Sequence, residues 1–551
     1  MNLSMKRYIE DADNREFDLL IIGGGITGCA VAYEAASRGL TVCLLEKGDF
    51  GAATSAATSK EIHGGLRYLK NLEIKLVRES LRERRILANI APNLVHPLAH
   101  LMPLYDLSAW ERAAMHGALT LYDLLSYDRS KAWDPMKRIP GHRMLSASEA
   151  LSLEPGIRTQ GLSCAAVYYD CQSLTPERLT LAFLKSALNC GAQASNYAKV
   201  EGLMGASQGR IQGARVRDLL SGRELEMRGR LVINCAGPWA DLIVQRAGGV
   251  GHQRLRRSEG IHVITRPLVR SHGVTRVYKE GGHFFVLPWR GHSLIGTTDQ
   301  DYTGDPDDYQ VRAESIRELL DKVNEGFGFG DLELSDVLYA YGGLRPLVED
   351  QTKGTYQTSR RYEVHDHAAS GLEGLVTVEG GKYTTSRGLA EGVVGLAGGK
   401  LSKGIGPCIS RKSFLAGCEI PDLTRFLSQA TAKLAGAYPA TALTLCRLYG
   451  MQAEQVWALA QAEPDLGRTL NADGEIMAQV VFAVRFEMAR TLNDILLRRT
   501  GLGTLGHPGS ETLRAVAQMA ARELGWDQAR QDEEISRAEA ALKVPGKEEA
   551  L

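Results

Sequence analysis

The stretch FDLLIIGGGITGCAVAYEAASRGLTVCLLEKG, residues 17–48, leaves the chain few choices of fold. DLLII, residues 18–22, is a short apolar run that reads as a buried parallel strand. Gly23, Gly25 and Gly28 then form G-x-G-x-x-G, and residues 29–38 carry a helical pattern that Gly39 stops. TVCLLE follows as a second strand with Glu46 at its end. The first glycine permits the tight turn, the second lets a pyrophosphate approach the backbone, and the third lets helix and strand pack closely. The helix N-terminus offers unpaired N–H groups and a positive dipole end to phosphate. Glu46 is placed to accept hydrogen bonds from a ribose diol, and its charge would repel a 2′-phosphate. Strand, helix, second strand and terminal acid together predict a dinucleotide site; G-x-G-x-x-G alone would not.

Two later segments repeat the theme. LVINCAGPWA, residues 231–240, runs from an apolar strand into a turn at Gly237-Pro238-Trp239. LVTVEGGKYTTSRGLAEGVVGLA, from residue 375, reads as strand, Gly380-Gly381, then helix. Three glycine-rich strand ends so far apart suit a discontinuous domain wrapped around an extended FAD, although position alone does not separate FAD from NAD. RVYKEGGHFFVLPWRGHSLIGTTD, residues 276–299, alternates around glycine turns and predicts antiparallel strands. Residues 76–125 read as mostly helical, and the basic run VRESLRERR reads as a solvated helix face or, alternatively, a patch for anionic lipid. Thr175 and Pro176 are placed to start a helix as N-cap and first residue. From 421 onward the chain is rich in Ala, Leu, Glu and Arg at helical spacing. AQVVFAVRFEMARTLNDILLRRTG reads as one helix whose acids and arginines are solvent pairs or an interdomain network. KVPGKEEAL reads as a frayed tail.

A chain of 551 residues exceeds one core, so two or three domains are expected. Lys plus Arg and Asp plus Glu are 65 each, which gives no support for nucleic-acid binding. Nine cysteines without a C-x-x-C pair argue against a zinc or iron–sulfur site and suit reduced thiols in the cytoplasm. No metal is expected. The polar N-terminus is not a secretory signal, and no apolar run is long enough to span a bilayer. Any membrane contact would be peripheral, on the cytoplasmic face of an inner membrane.

DLLIIGGGITG, TSKEIHGGLRYL, INCAGPW, LIGTTD, GGLRPL, VEGGKYTT and EMARTLNDILLRRT occur in that order. In this the chain resembles the FAD-dependent glycerol-3-phosphate dehydrogenases, within the D-amino-acid-oxidase-like flavoproteins, from about residue 17 to about residue 525. The resemblance implies an α/β fold: a Rossmann-like FAD-binding domain (17–85, 160–246 and 361–408), a mixed-sheet substrate domain (86–159 and 247–360) and an all-helical C-terminal domain (409–551). It implies noncovalent FAD against Gly23, Gly25, Ile26, Thr27, Gly28, Glu46, Lys47, Thr58, Ser59, Lys60, Gly64, Gly65, Ala236, Gly237, Trp239, Gly380, Gly381, Lys382, Tyr383 and Thr384. It gathers His63, Arg67, Tyr68, Thr297, Arg345 and Lys382 around the substrate.

The chemistry of these residues agrees. Arginine forks match phosphate oxygens, lysine adds a point charge, and histidine is a suitable proton acceptor. A lysine with a depressed pKa is the alternative base. The expected reaction oxidises sn-glycerol 3-phosphate to dihydroxyacetone phosphate, with electrons passed to a quinone. An oxidase using oxygen, a flavin dehydrogenase for another hydroxy compound or amine, and a non-catalytic flavin-bound sensor are the alternatives, and a homodimer stands open. Two departures from the family pattern bear on the substrate: Glu61, where an apolar residue is usual, and Thr175-Pro176-Glu177-Arg178 in place of an Asp-Ala-Arg run. Glu61 could oppose a dianion or turn outward to pair with Lys60.

Overall fold

Five parallel strands, in the order Leu375–Gly380, Glu224–Asn234, Glu16–Ile22, Val42–Leu45 and Gln193–Ser195, form the centre of one sheet in the computed structural model. The structure describes residues 4–13, 15–248, 255–277, 283–347 and 362–547. Phe17 to Ile22 are all buried, as a strand covered on both faces requires. The helix Ile26–Ser37 follows, and Gly39 at φ +89° ends it in a backbone region that L side chains resist. On one face it packs with Pro176–Asn189 and Ser386–Lys400 over a core that includes Leu19, Ile21, Phe183 and Val394. Tyr8, Ile9, Ile243 and Val244 cover the other face. Tyr362–Asp366 forms an antiparallel edge, and Gly213–Asp218 pairs antiparallel with both Glu224–Asn234 and Ala198–Met204.

A second sheet of ten strands is mixed and largely antiparallel. Its long members are Val95–Tyr105, Leu162–Ser173, Arg256–Thr265 and Tyr339–Leu347. The hairpin expected within 276–299 is present as His283–Trp289 against His292–Gly296, with Gly273–Val277 alongside; residues 278–282 lie outside the described residues. The helix Ala313–Gly326 covers the far face. It buries Ile316, Leu319, Leu320 and Val323 against Ile261, Val263 and Val286. Each such side chain contributes about 1.5–3 kcal/mol of transfer free energy. The near face, with Tyr168, Thr275 and Phe285, is turned toward the first sheet's cleft. Helices from Leu423 to Leu542 build a third core that also takes in Ile264, Leu287, Trp289 and Leu294 of the second sheet.

Several sequence expectations change. Within 76–125, Val95–Tyr105 is a strand between the helices Ile74–Ile90 and Ala109–Leu125. It lies antiparallel to Leu162–Ser173, a partner that local periodicity does not reveal. Residues 162–173, grouped by sequence with the FAD domain, pair in the second sheet, as does Glu61–Ile62. VRESLRERR is neither a solvated face nor a lipid patch along its length. Glu83 and Arg84 are buried, Arg84 pairing with Asp170 at 2.5 Å and Glu83 with Arg387 at 2.6 Å, while Arg78 and Arg85 share Asp128. Thr175 precedes the helix as expected, with Pro176 first, but its hydroxyl caps nothing. The helix expected over 478–501 stops at Phe486 and resumes as Leu492–Asp494 and a π-helical turn Ile495–Arg499. Its charged residues are an interdomain network. Asp49 receives Arg498 at 2.6 Å and Arg499 at 2.7 Å, and Glu487 receives Arg178 and Lys185. Val544 is buried and Lys547 donates to the Val337 carbonyl at 2.7 Å, so the tail is packed as far as 547; residues 548–551 lie outside the described residues.

Candidate active site

A cleft of about 2490 Å³ runs between the two sheets. That is several times the volume needed by one small ligand. At one end is the glycine turn. Gly23 has φ +103°, and a Cβ there would stand 2.5 Å from the Cys235 carbonyl oxygen. A Cβ on Gly28 would stand 1.9 Å from the Gly23 carbonyl oxygen, so this glycine sets the closeness of helix and strand and does not line the cleft. Gly25, Ile26 and Thr27 do line it. The Ile26 N–H donates to the Ser55 hydroxyl at 2.9 Å, which ties the loop 51–58 to the helix start. Glu46 accepts from the N–H groups of Gly24 (2.6 Å) and Gly48 (2.7 Å) and faces the cleft; burial raises its carboxyl pKa.

The later glycine-rich turns converge on the same space. Ala236, Gly237 and Trp239 line it from one strand end, and Gly380, Gly381, Lys382, Tyr383 and Thr384 from another. Lys47 lies 3.9 Å from the Trp239 ring centroid, and both side chains bond Asp307, a residue the sequence reading passed over. Thr58 and Ser59 line the cleft, but Lys60 does not. Its ammonium is buried against Glu177 at 2.5 Å. Gly64 also stands back from the cleft, where a Cβ would meet the Tyr122 hydroxyl at 2.2 Å; Gly65 lines it.

The cleft also brings together candidate substrate residues more than 300 positions apart, Arg67 and Lys382 among them. Arg67 places its guanidinium 4.8 Å from the Tyr68 ring centroid and donates to the Tyr68 hydroxyl at 3.1 Å. Lys382 lies 4.6 Å over the same ring and donates to the Ser80 hydroxyl. Arg345 donates to Thr297 Oγ1 at 2.6 Å and to the Thr298 carbonyl at 3.0 Å, with Asp299 at 3.8 Å. Gly260 makes room for it, since a Cβ there would lie 1.9 Å from the guanidinium. The His63 N–H donates to Thr384 Oγ1 at 3.3 Å. Burial, then the charge of Lys382, lowers the His63 imidazole pKa to about 3. Burial likewise lowers the Lys382 pKa.

His262 was not foreseen. Its Nε2 lies 3.0 Å from Ser59 Oγ, its ring stacks on Tyr341, and burial pushes its pKa well down. Alternation along Arg256–Thr265, which sets Ser258, Gly260 and His262 on one face, was the available signal.

Residues 18–393 match the family described as FAD dependent oxidoreductase, and residues 408–531 match the C-terminal domain of alpha-glycerophosphate oxidase. The chain is 35% identical over 546 residues to a glycerol-3-phosphate dehydrogenase of Synechocystis sp., covering 96% of this chain and 97% of that one. It is 30% identical to the aerobic glycerol-3-phosphate dehydrogenase of Bacillus subtilis, covering 91% and 90%. The glycerol-3-phosphate dehydrogenase of Bacillus halodurans, solved with FAD, superposes with a TM-score of 0.78 at 26% identity, covering 97% and 96%. The chain belongs to the FAD-dependent glycerol-3-phosphate dehydrogenase family. FAD is its cofactor. The glycine clearances at Gly23 and Gly28, the Glu46 carboxylate and the two further strand-end turns fit that group.

Within this glycerol-3-phosphate dehydrogenase family member, Glu61 does not pair with Lys60. It lines the cleft, as does His63 two residues on, and meets His100 Nε2 at 3.4 Å. Burial and the nearby Asp170 raise its carboxyl pKa to about 8. Asp170 is itself well supplied, accepting from Arg84, Tyr122 and the Gly64 N–H.

Proposed function

We propose that the chain oxidises sn-glycerol 3-phosphate to dihydroxyacetone phosphate and passes the electrons to a quinone. The observation that carries this reading is the convergence of Arg67, Lys382 and Arg345 on one cleft with a dinucleotide turn. Three cations lining one cleft favour an anionic ligand, and a phosphate offers each of them oxygens to meet. Arg345 can meet phosphate oxygens as a fork, with Thr297 holding its angle. Tyr68 lies beneath both Arg67 and Lys382 and fixes their separation. His63, neutral at physiological pH, can hydrogen-bond a substrate hydroxyl without adding charge. Bound FAD supplies the hydride acceptor, at N5, for the substrate C2–H.

The rim of the cleft supports a lipid-soluble acceptor. The helix Ala109–Leu125 leaves Trp110 78% exposed, and Leu121, which lines the cleft, is 38% exposed. Leu72, one residue beyond the cleft-lining Asn71, is 80% exposed. Among the described residues no helix is long and apolar enough to cross a membrane. Such a rim suits contact with a bilayer surface, the medium in which a quinone moves.

The test is anaerobic. Adding sn-glycerol 3-phosphate to the holoenzyme should bleach the flavin, and a short-chain quinone should restore the colour faster than air does. A flavin that stays yellow removes the substrate, and faster recovery in air with hydrogen peroxide formed makes the chain an oxidase. Flotation with anionic vesicles checks the rim; no binding at low salt counts against it.

A further inference from the structure

Glu61 and His100 form a buried polar pair with no structural reason to be there. The Glu61 side chain is 12% exposed and His100 is fully buried. Neither ring nitrogen of His100 has a hydrogen-bond partner, and the Glu61 carboxyl has no neighbour within bonding reach among the described residues except His100 at 3.4 Å. Space is made for the imidazole: it stacks on Tyr168 at 5.1 Å, and a Cβ on Gly273 would stand 3.0 Å from its Nδ1. A buried carboxyl held for stability would be tied down as Asp170 is. One that keeps its lone pairs and lines a substrate cleft is available to a ligand.

We propose that Glu61 is the proton acceptor of this chain's reaction, taking the proton from the substrate C2 hydroxyl, with the His100 imidazole 3.4 Å behind it. The inference rests on the reading of the substrate as a secondary alcohol. The balance is simple. The alcohol carbon gives a hydride to the oxidised flavin, its hydroxyl gives a proton to the Glu61 carboxylate, and a ketone and a carboxylic acid remain. The acid then returns its proton to water in the open cleft. His63 is the poorer acceptor. Burial, then the charge of Lys382, stands against its protonated form, and its pKa of about 3 leaves little affinity for a proton. The groups facing Glu61 are His100 and, on the neighbouring strand, Tyr168 and Asp170; Arg84 and Tyr122 hold Asp170, and His63 shares its own segment. These surroundings place its pKa at about 8, so roughly one molecule in ten is ionised at pH 7.

The experiment is stopped-flow anaerobic reduction of the holoenzyme by sn-glycerol 3-phosphate across pH ~6–10, for wild type, Glu61→Gln and Glu61→Asp. In the wild type the second-order rate constant for reduction, read at low substrate, should rise about tenfold per pH unit and level off above about 8. Glu61→Gln should keep its FAD and its substrate affinity, lose about a hundredfold or more in rate at the plateau, and lose the pH limb. Glu61→Asp should regain the limb. A Glu61→Gln enzyme with the wild-type rate and profile overturns the proposal, as does a wild-type rate that falls with pH, which would make Glu61 a donor. A wild type that is not reduced at any pH removes the substrate reading instead. The infrared difference between wild type and Glu61→Gln then still tests the residue. A protonated-carboxyl band that disappears near pH 8 supports a titrating acceptor, and its absence at pH 6 refutes one.

Discussion

Replacing Glu487 by glutamine tests how the helical C-terminal part is held to the FAD domain. Glu487 is fully buried and accepts from both terminal nitrogens of Arg178 at 2.8 Å and from Lys185 at 2.5 Å. These cations hold its pKa at about 2 against an ordinary 4.5, even though burial acts the other way. The difference of about 2.5 units is worth about 3 kcal/mol of folding stability. Breaking a buried pair from one side costs about 3–5 kcal/mol by a separate route, because the partner charges stay behind. Lys185 limits the loss. Burial already lowers its pKa to about 8, so without Glu487 it sheds its proton and only Arg178 remains charged. A loss of about 3–4 kcal/mol lowers Tm by about 3 °C if all 551 residues unfold together, and by about 12 °C if the helical part melts alone. Calorimetry of the holoenzyme at pH 7 decides between them. Because the folded pKa is depressed, the stabilisation is complete above about 4.5 and disappears as the pH falls through about 2. The gap between wild type and variant should therefore shrink by more than half near pH 3. Equal Tm values at pH 7 would refute the argument.

Arg345→Ala should raise KM for sn-glycerol 3-phosphate about 10–100-fold with a smaller change in kcat, the value of one or two charge-assisted hydrogen bonds; an unchanged KM excludes it as a phosphate clamp. Gly28→Ala should cost about 1–3 kcal/mol and lower the flavin bound per protein, since its Cβ would press 1.9 Å from the Gly23 carbonyl oxygen. Absorbance at the flavin band in the purified protein measures this, and full flavin content would show that the turn yields. His63→Ala should slow flavin reduction while FAD stays bound, and unchanged reduction removes its role at the substrate.

The nucleotide unit was legible because its causes are local. Buried runs, a positive-φ glycine and a strand-end acid lie within 30 residues, and each needs only its neighbours to be understood. Val95–Tyr105 was not legible, because its partner begins 57 residues past its end and the ladder, not the local pattern, makes it a strand. The same holds for the charges. Glu83 and Arg84 resemble surface residues until Arg387 and Asp170 arrive from far along the chain. Glu487 interrupts a helix that its sequence would continue, and its carboxylate is committed to Arg178 and Lys185.

The active site divides in the same way. His63, Arg67 and Tyr68 come from one loop, but Arg345 and Lys382 join them only through the fold, and family resemblance was the sole sequence signal linking them. Asp49 connects the first glycine-rich unit to the helical part. It lies three residues beyond the cleft-lining Glu46 and binds Arg498 and Arg499 of the helical part. Its neighbour Asn196 reaches both Asp49 and the Met488 carbonyl, beside Glu487. The segment that carries Glu46 is therefore braced by side chains some 450 residues away in sequence. The helical part thus braces the Glu46–Asp49 segment of the cleft, so Glu487→Gln should lower the flavin bound per protein as well as Tm, and full flavin content in the variant would show that the brace does not reach the cofactor.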